Sequence, residues 1–182
     1  MKAFVITLIH NPQSIEVADR CIESGKRHGL DIKHFRAITP HDEPLELLES
    51  KGIAPNSFDE KYSRNLNCIS AFLSHHTLWE RCVEDNETYV IFEHDAIVTG
   101  EVPVDEKFKG CLTFSKPSYG KFNTPIKLGV DGLVQKKYFG GAHGYMVNPE
   151  GAAKLIKKAK THGGPTDVFL NNSVNNSRYL KW

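Results

Sequence analysis

The sequence has almost no net charge, because its 23 lysine and arginine residues nearly balance its 22 aspartate and glutamate residues. A formal charge of +1 provides no overall field to attract nucleic acid or an anionic membrane, so any anion binding must be local. The lysines are scattered and form no basic stripe or nucleic-acid-binding signature. Nucleic acid is therefore not an expected partner.

Long hydrophobic runs are also missing, since no stretch approaches the roughly 18 apolar residues of a membrane span. The first residues, MKAFVITLIHNPQ, contain no small-residue cleavage site and become polar at Asn11 and Pro12. They are predicted to form a first strand and not a signal peptide. We expect a cytoplasmic protein with at most peripheral membrane contact.

Cysteine is scarce, and its spacing excludes a CxxC zinc ribbon or a small disulfide framework. Three of the four cysteines fall in apolar patterns, which predicts buried thiols in a reducing compartment. The four are Cys21, Cys68, Cys82 and Cys111.

The chain has the composition of a globular protein, with 40% hydrophobic and 25% charged residues. A length of 182 residues is enough for one domain with a sizeable core and too short for two ordinary ones. We predict a single domain over residues 1–182, in which 170–182 form a polar tail.

The apolar pattern predicts an α/β fold with a mostly parallel central sheet and helices on both faces. Residues 3–9 are continuously apolar, as in a strand that is covered on both sides. A helix is predicted from Ile15, with Ser14 as its N-cap and Gly29 at its end, and DIKHFRAI then reads as a second strand. This βαβ unit lacks the GxGxxG motif of dinucleotide-binding proteins.

Later elements follow from the same signals. Residues 115–137 show no periodicity and are interpreted as a loop, either mobile near a ligand or a plain surface excursion. Predicted strands cover 88–92, 111–114, 133–139 and 144–147; predicted helices cover 42–50, a long amphipathic stretch around 68–82, a segment with Asn148 as N-cap and Pro149 at its first position, and a short segment near Asp167.

Two carboxylates follow directly on the predicted strand 88–92, in Glu93-His94-Asp95. Acidic-x-acidic triplets are expected about two or three times by chance in such a chain, and Asp85-Asn86-Glu87 is another. The position of the first is informative, because ligands of α/β proteins bind at the carboxyl edge of the sheet. Two close carboxylates stay ionised if a cation such as Mg²⁺ or Mn²⁺ compensates them. The alternative is a solvated turn whose carboxylates cap the next helix or face water. His94, between the two acids, is expected to point the other way off the strand.

Three other polar residues are candidates, each with an ordinary alternative. His143, within FGGAHGYMV, is a further possible metal ligand or a surface histidine in a tight turn. Asp167, within GPTDVFL, is a possible catalytic carboxylate or a helix N-cap. His75, on an apolar helical face, is a possible ligand contact or a hydrogen-bonded core histidine.

Several segments, taken in order, resemble glycosyltransferase family 25, the group of lipooligosaccharide and procollagen galactosyltransferase-like sugar transferases. No single segment is specific, but the ordered set is, and it covers most of residues 3–170. The segments are FVITLI with FRAITP, AFLSHHTLW with Ser74, His75 and Trp79 on matching positions, VIFEHDAIV, GGAHGYMVNPEGAAKLI and GPTDVFL.

The resemblance implies a GT-A-like nucleotide-sugar-binding fold and inverting sugar transfer from a nucleotide sugar, with a UDP-sugar expected, to a hydroxyl of a glycan or lipooligosaccharide-type acceptor. It implies Mn²⁺ or Mg²⁺ at Asp95, Glu93 and His143, and a catalytic pair of Asp95 and Asp167, in which Asp167 is the acceptor-activating base. The donor and cofactor contacts that it implies are Leu8, His10, His75, Glu93, Gly141 and His143.

The sequence also departs from the family pattern. No arginine precedes Arg20 after the first strand, and His94 replaces the middle acid of the family's acidic strand end. These departures, with the short segment after Asp167, leave a second hypothesis open, a non-catalytic nucleotide-sugar or glycan-binding module of the same fold. A haloacid dehalogenase-type phosphohydrolase ranks lower, because such enzymes carry Asp-x-Asp after the first strand, where this chain has His10 and Asn11.

Overall fold

The computed structural model describes residues 1–58, 64–102, 108–114, 129–132, 142–170 and 178–181. Within these ranges the chain forms seven strands: β1 Lys2–Thr7, β2 Ile32–Arg36, β3 Tyr89–Glu93, β4 Cys111–Thr113, β5 Gly129–Gly132, β6 Gly144–Val147 and β7 Arg178–Lys181. The same ranges contain five α-helices: α1 Pro12–Arg27, α2 Pro44–Ser50, α3 Asn65–Asp85, α4 Pro149–His162 and α5 Thr166–Phe169.

The strands form one mixed sheet in the order β2-β1-β3-β6-β4-β7-β5. The β2-β1-β3 part is parallel, whereas β6 lies antiparallel between β3 and β4. β7 is parallel to β4 and antiparallel to β5. The predicted α/β fold is confirmed. The first βαβ unit supplies β1 and β2 of the β2-β1-β3 part, and β3 completes it.

Hydrophobic clusters cover the two faces of the sheet. Ala18 and Cys21 of α1 pack with Val5 and Ile32 on one face. The other face carries α3 and α4, with Trp79 completely buried among the core residues. Full burial of each large apolar side chain is worth about 1.5–3 kcal/mol, so both faces contribute to folding. The predicted helices on both faces are confirmed, and all four cysteines are buried thiols as predicted.

The ends of two helices test the capping predictions. The predicted N-cap Ser14 is wrong, because α1 begins at Pro12 and the side chain of Asn11 accepts hydrogen bonds from the backbone N–H groups of Gln13 and Ser14. Proline is well tolerated at the first helical position, which Pro12 occupies, because the backbone N–H there makes no intrahelical hydrogen bond. For α4, the predicted N-cap Asn148 is confirmed, since its side chain accepts from the backbone N–H of Gly151 at 2.8 Å.

The helix predicted over 42–50 is two elements in the structure. A short 3₁₀ turn covers Pro40–Asp42, and α2 begins only at Pro44. Glu43 between them has a left-handed backbone with φ 51°, which interrupts the helical path.

The predictions for the last third of the chain were less complete. The proposed loop 115–137 contains β5, and the proposed polar tail contains β7, which joins the sheet beside β4. The predicted strand 133–139 lies outside the described residues. Among the helices that the structure describes, none combines the length and the apolar character that crossing a bilayer requires.

Candidate active site

Glu93 is the last residue of β3 and lies at the carboxyl end of this central strand. Successive side chains of a strand point to opposite faces, and Tyr89 and Ile91 belong to the cluster on the α3 face. The same alternation directs Glu93 toward α3. His94 and Asp95 follow in a turn, where Asp95 is exposed.

The pairing of β3 with β6 places His143 next to Glu93. Phe92 is opposite Gly144, and the backbone N–H of Glu93 donates to the carbonyl of His143 at 3.1 Å. A Cβ atom on Gly144 would lie 2.9 Å from the Phe114 ring and 3.2 Å from the Phe92 ring. A side chain at position 144 would therefore force the Phe114 ring to shift.

Glu93, Asp95 and His143 converge. Each offers one ligand atom, and these atoms all lie within 4.8 Å of one another. Oε2 of Glu93 is 3.0 Å from Nδ1 of His143, and within the described part of the chain Nε2 of His143 is buried with no hydrogen-bond partner. A carboxylate only accepts, so Nδ1 of His143 carries the proton and Nε2 of the neutral ring presents a lone pair.

The electrostatics of this cluster favour an ionised Glu93. Burial raises the pKa of Glu93, but the hydrogen bond from His143 and the nearby His75 ring outweigh burial and hold the pKa below the usual range of a glutamate. The hydrogen bond to Glu93 in turn raises the pKa of His143, against an opposing effect of burial. Among the described residues, no lysine or arginine pairs with Glu93 or Asp95.

These residues fit a divalent cation. Two carboxylates and an imidazole nitrogen are suitable donors for Mn²⁺ or Mg²⁺, and the buried lone pair of His143 otherwise has no partner in the described structure. Carboxylates that orient a ligating histidine through its other ring nitrogen are common in metal sites. The arrangement of Glu93 and His143 has this form.

Asp167 is within electrostatic range of this cluster, since the charges of Glu93 and His143 contribute to its pKa beside the larger effect of burial. Burial raises the pKa of Asp167, and the negative charge of Glu93 adds to that effect. The alternative that Asp167 is an N-cap is excluded, since the N-cap of α5 is Pro165. Phe169 anchors α5 on α3, with its ring stacked 5.7 Å from Trp79 and edge-on 5.2 Å from Phe72. Aromatic pairs of this kind contribute about 0.5–1.5 kcal/mol each.

A cleft of about 390 Å³ opens beside the cluster, where β1, β2 and β3 end. This is the edge at which ligands of parallel sheets bind. Its described lining residues are Ile6, Leu8, Ala37, Ile38, Thr39, Pro40, Asn67, Ser70, Ala71, Ser74, His75, Glu93, His94 and Asp95.

Of the predicted donor contacts, Leu8, His75 and Glu93 line this cleft. His94 also lines it, whereas the sequence predicts that its side chain points away from the acids. His10 is exposed in the turn after β1 and is not among the described lining residues. Gly141 lies outside the described residues.

Residues 37–40, which follow β2, form a wall of the cleft that the sequence patterns did not predict. The hydroxyl of Ser74 accepts from the backbone N–H of Ile38 at 2.8 Å and donates to the carbonyl of Ser70 at 2.9 Å, so α3 holds this wall in place. A signal was available, because parallel strands end at the same edge and the residues after β2 therefore lie near those after β3.

Comparison with known proteins adds two findings. Residues 1–113 match the model of the family described as Glycosyltransferase family 25 (LPS biosynthesis protein). The chain is also 23% identical over 176 residues to the lipooligosaccharide biosynthesis protein lic2B of Haemophilus influenzae. That alignment covers 84% of this chain and 64% of the relative, so the chain spans less than two thirds of the length of that protein.

Proposed function

Because the chain belongs to glycosyltransferase family 25, we propose that it transfers a sugar, with inversion, from a nucleotide sugar to a hydroxyl of a glycan or lipooligosaccharide-type acceptor. A UDP-sugar is the proposed donor. The observation that carries the proposal is the convergence of Glu93, Asp95 and His143 at the margin of the cleft formed by the ends of β1, β2 and β3.

The cleft suits a nucleotide in size and in chemistry. Its volume of about 390 Å³ lies within the range of small-molecule sites. Leu8 and Ile38 offer apolar surface to a base, while Thr39 and Asn67 offer polar groups to a base edge or ribose. With the base in this cleft, the diphosphate extends toward the acidic end of β3.

Glu93, Asp95 and His143 would hold a Mn²⁺ or Mg²⁺ ion. When bound, the ion withdraws charge from the leaving nucleoside diphosphate. The roles of the side chains differ. Asp95 is exposed and lines the cleft, whereas Glu93 orients the His143 ring by accepting a hydrogen bond from its Nδ1–H group. Without a cation, two ionised carboxylates would repel the phosphates of the donor.

Asp167 is the proposed base that accepts the proton of the acceptor hydroxyl. Its raised pKa makes the carboxylate a stronger base than a solvated aspartate, which is favourable for general base catalysis near neutral pH. α5 is fixed by Phe169 on α3, so the carboxylate is held on a packed element. Attack from the side opposite to the leaving diphosphate gives inversion at the sugar carbon.

A paired experiment tests the proposal. Wild type, Asp95→Ala and Asp85→Ala are titrated calorimetrically with UDP in Mn²⁺ and then screened for hydrolysis of several sugar nucleotides. We expect binding and donor hydrolysis in wild type and in the control Asp85→Ala, and loss of both in folded Asp95→Ala. Absence of UDP binding in wild type would contradict the proposal, whereas binding without hydrolysis or transfer would favour the non-catalytic binding module.

A further inference from the structure

Two buried hydrogen bonds join Trp79, Tyr145 and His75 in the core behind the acidic end of β3. The indole N–H of Trp79 donates to the hydroxyl oxygen of Tyr145 at 2.9 Å, and that oxygen lies 2.8 Å from Nδ1 of His75. Nε2 of His75 then lies 3.8 Å from Oε1 of Glu93. We propose that Tyr145 is a positioning residue that fixes the ring tautomer of His75 and, through it, the orientation of Glu93.

The three rings have little freedom to rearrange. Trp79 and Tyr145 are completely buried, and His75 is 1% exposed. The His75 ring stacks on the Tyr145 ring with centroids 5.7 Å apart and planes 25° apart. Since water does not reach these groups, each polar atom depends on its neighbours in the core for hydrogen bonding.

The chemistry of the groups on either side of His75 selects one tautomer. The carboxylate of Glu93 can only accept, so it favours a proton on the nitrogen that faces it, which is Nε2 of His75. Nδ1 of the neutral ring then bears a lone pair and accepts from the Tyr145 hydroxyl. The Tyr145 hydroxyl accepts from Trp79 and in this tautomer donates its O–H to His75.

The consequence is a Glu93 carboxylate held between two imidazoles. Oε1 faces Nε2–H of His75, and Oε2 accepts from Nδ1–H of His143. Oε2 is hydrogen-bonded and Oε1 lies 3.8 Å from the His75 ring nitrogen, so rotation of the carboxylate would lose one or both contacts. Glu93 therefore keeps its second oxygen on Nδ1 of His143, and Nε2 of that ring has no hydrogen-bond partner among the described residues.

The first experiment needs no variant and no cation. Long-range ¹H–¹⁵N correlation spectra of the metal-free full chain report which ring nitrogen of His75 and of His143 carries the proton. We expect the Nε2–H tautomer for His75 and the Nδ1–H tautomer for His143. The Nδ1–H tautomer at His75 would overturn the proposal.

The second experiment compares Tyr145→Phe with Tyr89→Phe. Tyr89 is a matched control, because it is also a buried tyrosine whose hydroxyl is hydrogen-bonded, in this case to Asp85 at the opposite end of β3. We expect Tyr145→Phe to mix the His75 tautomers and to weaken Mn²⁺ binding about tenfold, the lower end of the range for residues that orient a metal ligand. Tyr89→Phe should leave both measurements at the wild-type values.

The tautomer of His75 can be measured whether or not the proposed function is correct. Only the expected effect on Mn²⁺ binding rests on the cation site of the proposed function. Equal Mn²⁺ affinity and an unchanged His75 tautomer in folded Tyr145→Phe would overturn the positioning role of Tyr145. If wild type fails to bind Mn²⁺, the cation site of the proposed function is wrong, and the His75 tautomer still decides this proposal. If Tyr145→Phe does not fold, the spectrum of wild type decides it alone.

Discussion

The two ends of β3 carry the same sequence pattern and very different surroundings. Asp85-Asn86-Glu87 precedes the strand and Glu93-His94-Asp95 follows it. At the first triplet, Lys2 Nζ lies 2.5 Å from Asp85 Oδ2, and the terminal amino group of Met1 lies 3.0 Å from Glu87 Oε2. These carboxylates are neutralised by cations of the chain itself.

The triplet after β3 has no such cations among the described residues. Glu93 contacts two histidines, and Asp95 is exposed at the cleft. The triplet before β3 forms ion pairs within the folded chain, with lysine and the amino terminus. The triplet after β3 has no such permanent cation, so it is suited to bind a cationic ligand. The neighbours of a triplet, and not its residue types, distinguish the two cases.

The strongest test of this contrast replaces a carboxylate at each end by its amide. Asp167→Asn removes the proposed base beside Glu93, and we expect kcat for transfer to fall about 10²- to 10⁴-fold with little change in donor affinity. Asp85→Asn makes the same chemical change at the other end and should leave kcat unchanged. Steady-state kinetics on both variants measure the difference, and equal effects would contradict it.

A second test compares two histidines that each contact a carboxylate. His143→Ala should weaken Mn²⁺ binding about 10- to 100-fold, because it removes one of the three potential ligands of the cluster. The control His34→Ala removes a ring that lies between Asp19 and Thr7, away from the cleft. Calorimetric titration with Mn²⁺ should find the control equal to wild type, and a loss of affinity in both variants would indicate a general structural effect.

The acid limb of the pH profile gives a smaller effect. Burial raises the pKa of Asp167, so the proposed base becomes protonated at a higher pH than a solvated aspartate would. We expect kcat/KM for transfer to fall about tenfold per pH unit below this raised pKa. The profile of Asp167→Asn should lack this limb, and persistence of the limb in the variant would assign it to another group.

The smallest effect concerns the ion pairs before β3. Lys2 lowers the pKa of Asp85, and the terminal amino group lowers that of Glu87. A depressed folded-state pKa adds stability above the unfolded value, and that stability is lost as the pH falls through the folded value. At 1 M salt the Debye length is about 3 Å, so these exposed pairs should be screened.

Carboxyl ¹³C titrations at low and high salt measure this difference. The Asp85 and Glu87 resonances should titrate closer to their ordinary pKa values in high salt. The pKa of Glu93 should remain low, since its hydrogen bond to His143 is partly shielded from solvent. A Glu93 pKa that salt shifts as strongly as that of Asp85 would remove the contrast between the two ends.

Local signals predicted much of this fold. The asparagine before α4, the proline at its first position and the apolar runs of β1 and β3 determine the structure within a few residues of their own positions. The proximity of His143 to Glu93 was different, because it depends on the antiparallel register between β3 and β6. The β5 and β7 pairing is likewise set by partners distant in sequence. The same applies to the bond between Tyr145 and His75.

Phe169 packs on Trp79 and Phe72, so α3 supports two parts of the candidate site, His75 and the short helix α5. One helix carries the imidazole behind Glu93 and, through these rings, the short helix with Asp167. A tilt or slide of α3 would therefore move His75 and Asp167 together, in the same direction relative to β3.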